Sequence, residues 1–142
     1  MTDIIKKFDF GLTKYCCSLT INEIVKYMLK NKEYNQESIQ EAMRLHLFSL
    51  AVDVEENLPF IIHTAFLKAG ITSDEETSQA MNELQKIFEG NREKIKFYVF
   101  DLLPKYMEKM TGEGFELMEK AAKDIVDNKK YKEFMGEIVI DI

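Results

Sequence analysis

A chain of 142 residues is long enough to bury a core without disulfides or a structural metal, and its length favours one domain. Hydrophobic residues make up 46% and charged residues 31%, a balance that excludes an intrinsically disordered protein. The formal net charge of -6 disfavours general affinity for nucleic acid or anionic lipid, because phosphate groups are bound by clustered Lys and Arg.

The first 19 residues carry two competing patterns. Phe8, Phe10 and Leu12 alternate with polar or small residues, as they would in a short strand. Ile4, Phe8 and Leu12 also fit one face of a helix, so both interpretations stay open. No long apolar segment with a small-residue cleavage site is present here, so no secretory signal is predicted.

The two cysteines, Cys16 and Cys17, are neighbours in the sequence. Adjacent cysteines rarely pair with each other, and a structural zinc site needs four ligands, so neither a disulfide nor a metal site is predicted. No cysteine-enzyme signature surrounds them. The sequence therefore predicts two small buried side chains in a reducing, cytoplasmic compartment.

Helical spacing of apolar residues and repeated capping signals predict a single all-α domain over residues 1–142, with six or seven helices. Thr20 and Glu23 match a capping box, which predicts a helix that begins at Thr20. Asn35 is the predicted cap of a longer helix. The middle of that helix, Leu45–Val52, is apolar nearly all round and is therefore expected to be central and buried.

Further helix signals follow between residues 59 and 76. Pro59 suits the first turn of a new helix, where its missing N–H costs nothing. Gly70 followed by Ile71 predicts a Schellman-type helix end. Ser73 and Glu76 match a second capping box, which predicts the start of the next helix.

The last third of the chain continues the helical pattern and then changes character. Gly90 is expected to close one helix, and residues 92–110 to form another. A kink or break is predicted at Pro104, because proline cannot donate to the carbonyl four residues earlier. Residues 115–126 predict a further helix, whereas the β-branched tail Glu137–Ile142 predicts a short C-terminal strand.

The polar residues include no motif typical of catalysis or of cofactor binding. Phosphate loops, dinucleotide fingerprints and zinc-protease motifs are all missing, so the sequence predicts no enzyme, no cofactor and no metal site. His46 and His63 are the only histidines, and a metal or small-molecule site that also uses Asp53 and Glu56 is the first alternative. Because no metal-ligand spacing links the two histidines, a structural role is favoured for both.

Residues 20–47 place two predicted helices around a short turn, an arrangement that superficially resembles a helix-turn-helix. Gln40 and Arg44 are able to reach base edges, but Glu37 and Glu41 would be repelled by DNA phosphates. A nucleic-acid-binding regulator is therefore the second alternative. The sequence predicts neither a nucleic-acid partner nor a membrane.

The leading hypothesis is a non-enzymatic protein-binding module, such as an adaptor, chaperone, inhibitor or immunity-type protein, or a homo-oligomer with such a role. The 10 Phe, 6 Tyr and 8 Met are a large apolar load for six or seven short helices, so some are expected at an interface. Acidic rim residues would steer a basic partner towards it. The predicted contact residues are Phe97, Phe100, Tyr106, Met110, Ile138 and Ile140.

Overall fold

The computed structural model describes residues 3–31, 33–110 and 113–128. Within them it contains five helices and no strand, which confirms the all-α class but not the predicted six or seven helices. The strand predicted at Glu137–Ile142 lies outside the described residues. The helices are α1 (Asp3–Lys30), α2 (Gln36–Lys68), α3 (Asp74–Ile87), α4 (Arg92–Met110) and α5 (Glu113–Asp127).

Helix α1 is continuous where the sequence predicted a boundary. Thr20 lies inside the helix, and its hydroxyl donates to the carbonyl oxygen of Cys16 at 2.8 Å. The capping box predicted at Thr20 is therefore wrong. A threonine within a helix can satisfy its hydroxyl on the carbonyl four residues earlier, and the local sequence does not distinguish this from a cap.

Helix α2 begins as predicted and then bends. The Ser38 N–H donates to the Asn35 side chain at 2.8 Å, which confirms Asn35 as the cap. Asn57 departs from helical geometry with φ -127° and ψ 36°, two residues before Pro59. Two helical segments meet at this kink, close to the helix start predicted at Pro59, and they count as one long element, which lowers the number of helices.

The C-terminus of α2 is the predicted Schellman end. Gly70 has a φ of 90°, in the left-handed region that favours glycine. The Gly70 N–H donates to the carbonyl of Leu67, and the Ile71 N–H donates to that of Phe66, both at 3.0 Å. Ile71 is buried, so the turn is closed by an apolar contact as well.

Helices α3 and α4 begin at side-chain caps. The Glu76 N–H donates to the Ser73 hydroxyl oxygen at 3.1 Å, which confirms Ser73 as the cap, and the Ser73 hydroxyl donates to the Glu76 carboxylate at 2.8 Å. Gly90 follows α3 with a φ of 67°, and Asn91 then caps α4 by accepting from the N–H of Glu93 at 3.0 Å. Helix α4 continues through Pro104 to Met110, so a break at that proline is not observed.

The helices contribute to two compact units. The first comprises the described residues of Met1–Tyr15 and Ala51–Pro104, and the second those of Cys16–Leu50 and Lys105–Ile142. Each unit therefore combines stretches of chain that are far apart in the sequence. That residues 1–142 form a single domain stays a prediction.

The first unit is organised by aromatic side chains. Phe8 and Phe66 are fully buried and meet edge to face, with ring centroids 5.8 Å apart. The Tyr98 ring lies 6.2 Å from Phe8, and its hydroxyl donates to the Asp9 carboxylate at 2.6 Å. Burial, followed by the hydrogen bond to Asp9, raises the pKa of Tyr98.

Gly11 lies where the backbones of α1 and α2 approach each other closely in the first unit. A Cβ atom at this position would overlap the carbonyl oxygen of Ala65, which belongs to the backbone and cannot rotate away. The missing side chain of glycine is therefore what allows the two helix backbones to come so close.

The second unit buries a pair of hydroxyl groups beneath apolar side chains. Thr20 and Tyr106 are both buried, and their side-chain oxygens are 3.0 Å apart. The Tyr106 hydroxyl also lies 3.8 Å from the sulfur of Met118. Because the Thr20 proton goes to the Cys16 carbonyl, the Tyr106 proton is available for Thr20.

Candidate binding surface

Several large apolar side chains project from α2 into solvent, and Leu45 and Phe48 are the most exposed of them. Leu45 and Phe48 are 70% and 73% exposed, the highest values among the large hydrophobic residues that the structure describes. They lie three positions apart, so they are neighbours on one face of the helix. We call this pair the α2 outer face.

The opposite side of the same helix is buried. Met43 and Leu50 belong to the core of the second unit. At about 100° per residue, Phe48 is roughly 140° or more around the helix from both of them. The all-round apolar pattern, interpreted from the sequence as a buried helix, therefore corresponds to one buried and one exposed apolar face. Spacing alone did not distinguish these two situations.

Charged residues border the α2 outer face on its N-terminal side. Glu37 and Glu41 are exposed, and Glu41 is one turn before Leu45. Arg44 forms an exposed ion pair with Glu41, with the nitrogen and oxygen 3.2 Å apart. Two acids and one base leave this border net acidic.

The contacts predicted on α4 do not share one exposed face. Phe97 is 59% exposed, whereas Phe100 is partly buried and Tyr106 is only 7% exposed. Tyr106 is also held by its hydrogen bond with Thr20. The structure therefore presents Phe97 to solvent and places Tyr106 in a core.

The remaining predicted contacts cannot be located as surface groups. Met110 is the last residue of α4, but its side chain is outside the described part of the structure. Ile138 and Ile140 lie beyond the described residues altogether. Their role in partner binding stays a prediction.

In the part of the chain that the structure describes, the histidines do not belong to a metal centre. His46 is partly buried and His63 is exposed, and both lie on α2. Asp53, the nearest predicted co-ligand to His46 in sequence, is partly buried. Within residues 3–31, 33–110 and 113–128, no group of three or more His, Cys, Asp and Glu side chains is placed to hold a metal ion.

The cysteines have the environment of structural residues. Cys16 and Cys17 are buried and not joined in a disulfide. Burial, with the neighbouring Cys17 as a smaller contribution, raises the pKa of Cys16 to about 12. Because the thiolate is the nucleophilic form, this environment makes Cys16 unreactive near neutral pH.

A cleft lies in the second unit between the C-terminal half of α1 and the start of α2. Its volume is about 310 Å³. Ile24, Ile39 and Met43 contribute buried apolar side chains to it, and Lys26 and Lys30 contribute exposed ammonium-bearing ones. We call this site the lysine cleft. No pattern in the sequence predicts it, because its residues come from two helices and form no linear motif.

The helix-turn-helix alternative finds little support in surface charge. Over residues 20–47, the exposed charged side chains that the structure describes are of both signs, so they form no uniformly positive face. They are Glu23, Lys26, Lys30, Glu33, Glu37, Glu41 and Arg44.

None of the described helices contains an apolar stretch of the length needed to cross a lipid bilayer. The α2 outer face, the exposed Phe97 and the lysine cleft are candidate binding features of the described surface. The chain matches no protein-family model, no curated protein and no solved structure.

Proposed function

We propose that the protein is a non-enzymatic protein-binding module that engages its partner through the α2 outer face. The observation that carries this proposal is the exposure of Leu45 and Phe48, at 70% and 73%, side by side on one helix. Single exposed apolar residues are ordinary on protein surfaces. Two large adjacent ones, on a helix whose other side already supplies the core, are typical of an interface.

The partner chemistry follows from the shape and charge of this surface. A helix face with two apolar side chains one turn apart is complementary to an amphipathic helix that lies across it. Glu37 and Glu41 border the face, and the chain carries a net charge of -6, so Lys or Arg beside the partner's apolar residues would speed association. A second copy of this chain would bring the same acidic border against itself.

Phe97 is a separate candidate contact on the first unit, since it is the predicted contact residue with the largest described exposure. Tyr106 is not part of this proposal because its side chain is buried. The proposal also includes a cytoplasmic location, supported by the two free thiols of Cys16 and Cys17, which suit a reducing compartment.

Photo-crosslinking in cells tests the proposal. A benzophenone amino acid in place of Phe48 should form an adduct with one specific protein, whereas the same group in place of the exposed Lys6 should not. The purified partner should then bind the wild-type chain and the Ser49→Asp variant. It should not bind Leu45→Asp or Phe48→Asp.

Ser49 is a matched control because it is exposed and adjacent to Phe48 on the same helix. All four proteins should have the same free energy of unfolding, which separates lost binding from lost folding. Undiminished binding by Phe48→Asp would contradict the proposal. An adduct with a second copy of the chain would contradict the proposed partner chemistry.

A further inference from the structure

The lysine cleft is independent of the α2 outer face, since neither Leu45 nor Phe48 lines it. Its volume of about 310 Å³ is at the lower end of the range for small-ligand sites, roughly 300 to 1,000 Å³. A water molecule occupies roughly 30 Å³ of liquid volume, so the cleft has the volume of about ten water molecules. This size suits a small organic molecule.

The inner part of the cleft is apolar. Ile24, Ile39 and Met43 are buried members of the core of the second unit. Branched aliphatic side chains hold their shape, while an unbranched methionine adapts its conformation to what lies against it. These surroundings favour a hydrocarbon chain over a polar group, because a polar group placed there would lose its hydrogen bonds to water.

The outer part of the cleft is cationic. Lys26 and Lys30 are four residues apart on α1 and thus lie on the same face of that helix. Lys26 is 3.5 Å from the carboxylate of Glu23, in an exposed pair that is easily exchanged for another anion. Among the described residues, no carboxylate forms an ion pair with Lys30. Two ammonium groups and one carboxylate leave a local positive charge on an acidic protein.

We propose that the lysine cleft binds a small amphipathic carboxylate of medium chain length. Its hydrocarbon chain lies against Ile24, Ile39 and Met43, and its carboxylate is bound by the ammonium groups of Lys26 and Lys30. The apolar side chains of the cleft bury the hydrocarbon chain of the ligand, and the two lysines select a negatively charged head group.

Titration of the full chain with octanoate, below its micelle-forming concentration, tests this assignment. The NMR signals of the methyl groups of Ile24, Ile39 and Met43 should shift in a saturable manner. Isothermal titration calorimetry should give the same dissociation constant as these shifts. Octylamine has the same chain length and the opposite charge, so it should bind at least about tenfold more weakly. Equal binding of the two compounds would overturn the proposal.

Lys30→Ala should weaken octanoate binding about three- to fivefold, the effect expected of one exposed ion pair. Lys30→Arg should retain the affinity because it keeps the charge, and Lys6→Ala is the control for an exposed lysine elsewhere. An unchanged affinity in Lys30→Ala would contradict the assigned site. A synthetic peptide with the sequence of residues 137–142 is acidic and apolar and serves as a competitor. If it displaces octanoate and binds more tightly than octanoate does, the occupant of the cleft is a peptide and the small-molecule assignment is overturned.

Discussion

The side-chain oxygens of Thr20 and Tyr106 lie 3.0 Å apart inside the second unit, although the residues are 86 positions apart in the sequence. Tyr106→Phe leaves Thr20 bonded to the Cys16 carbonyl, so we expect a loss of about 0.5 to 1.5 kcal/mol in the free energy of unfolding. Thr20→Val leaves the Tyr106 hydroxyl with the weak sulfur partners Met118 and Cys17, and should cost about 1 to 3 kcal/mol.

Urea denaturation of the two single variants and the double variant measures this coupling. The double variant should be more stable than the sum of the single effects predicts, since no buried hydroxyl is then left without its partner. Strict additivity would show that the two hydroxyl groups do not interact.

Gly11→Ala should destabilise the protein, although alanine is the better helix former by about 1 kcal/mol. The new methyl group would overlap the backbone carbonyl of Ala65, and overpacking of this kind costs about 1 to 3 kcal/mol. Ser78→Ala, an exposed change on α3, is the control and should be close to neutral. A Gly11→Ala variant with raised stability would show that the helices do not approach closely here.

Two phenylalanines on α2 should respond very differently to truncation. Phe66 is fully buried, so Phe66→Ala should cost about 3 to 5 kcal/mol. Phe48 is mostly exposed, and Phe48→Ala should change the free energy of unfolding by no more than about 0.5 kcal/mol. Thermal or urea denaturation of the two purified variants and the wild-type chain measures these changes in the free energy of unfolding. A large loss in Phe48→Ala would mean that this side chain is covered within the protein itself.

Ser73→Ala should remove the cap of α3 and lower the free energy of unfolding by about 1 kcal/mol. Ser73→Asp should be far less harmful, because the carboxylate can accept from the same N–H group and favours a helix N-terminus. Circular dichroism during urea unfolding compares the three proteins. Equal stability of the alanine variant would argue against the cap.

Alkaline pH should destabilise the folded protein. Burial raises the pKa of the Cys16 thiol to about 12, and the pKa values of Tyr98 and Tyr106 are raised in the same direction, mainly by burial. The stability gained from keeping such groups neutral is complete below their unfolded pKa values, about 8.5 for Cys and 10 for Tyr. It is lost as the pH rises towards the folded values.

The free energy of unfolding should therefore be nearly constant from pH 7 to about 8.5 with respect to these groups, and fall above it. The fall should be smaller in Cys16→Ala, and a thiol reagent at pH 8 should label Cys16 only after unfolding. Rapid labelling of Cys16 in the native protein would contradict the buried thiol.

Local signals in the sequence predicted those features whose partners are also local. Ser73 caps a helix by contacts within three residues, and Gly70 ends one through its own backbone, so both were recognised. Thr20 carries the same capping pattern, but it is buried within α1 and its partner Tyr106 is distant in sequence. Tertiary contacts overrode the local preference there.

The candidate surfaces depended on information that apolar spacing does not contain. Periodicity identifies Leu45 and Phe48 as apolar positions of a helix, yet whether anything covers them is decided by the other helices. The same limit applies to Tyr106, which was predicted to be a contact and is buried. Charge and composition predicted an acidic protein, but not the pair of lysines beside an apolar cleft.

Each unit is assembled from stretches that are widely separated along the chain. The bond between Asp9 and Tyr98 spans 89 positions, and that between Thr20 and Tyr106 spans 86. Closing such long loops lowers the conformational entropy of the chain before the stabilising contacts form. A high contact order therefore slows folding. We therefore expect these residues to fold at a lower rate than an up-and-down bundle of equal length.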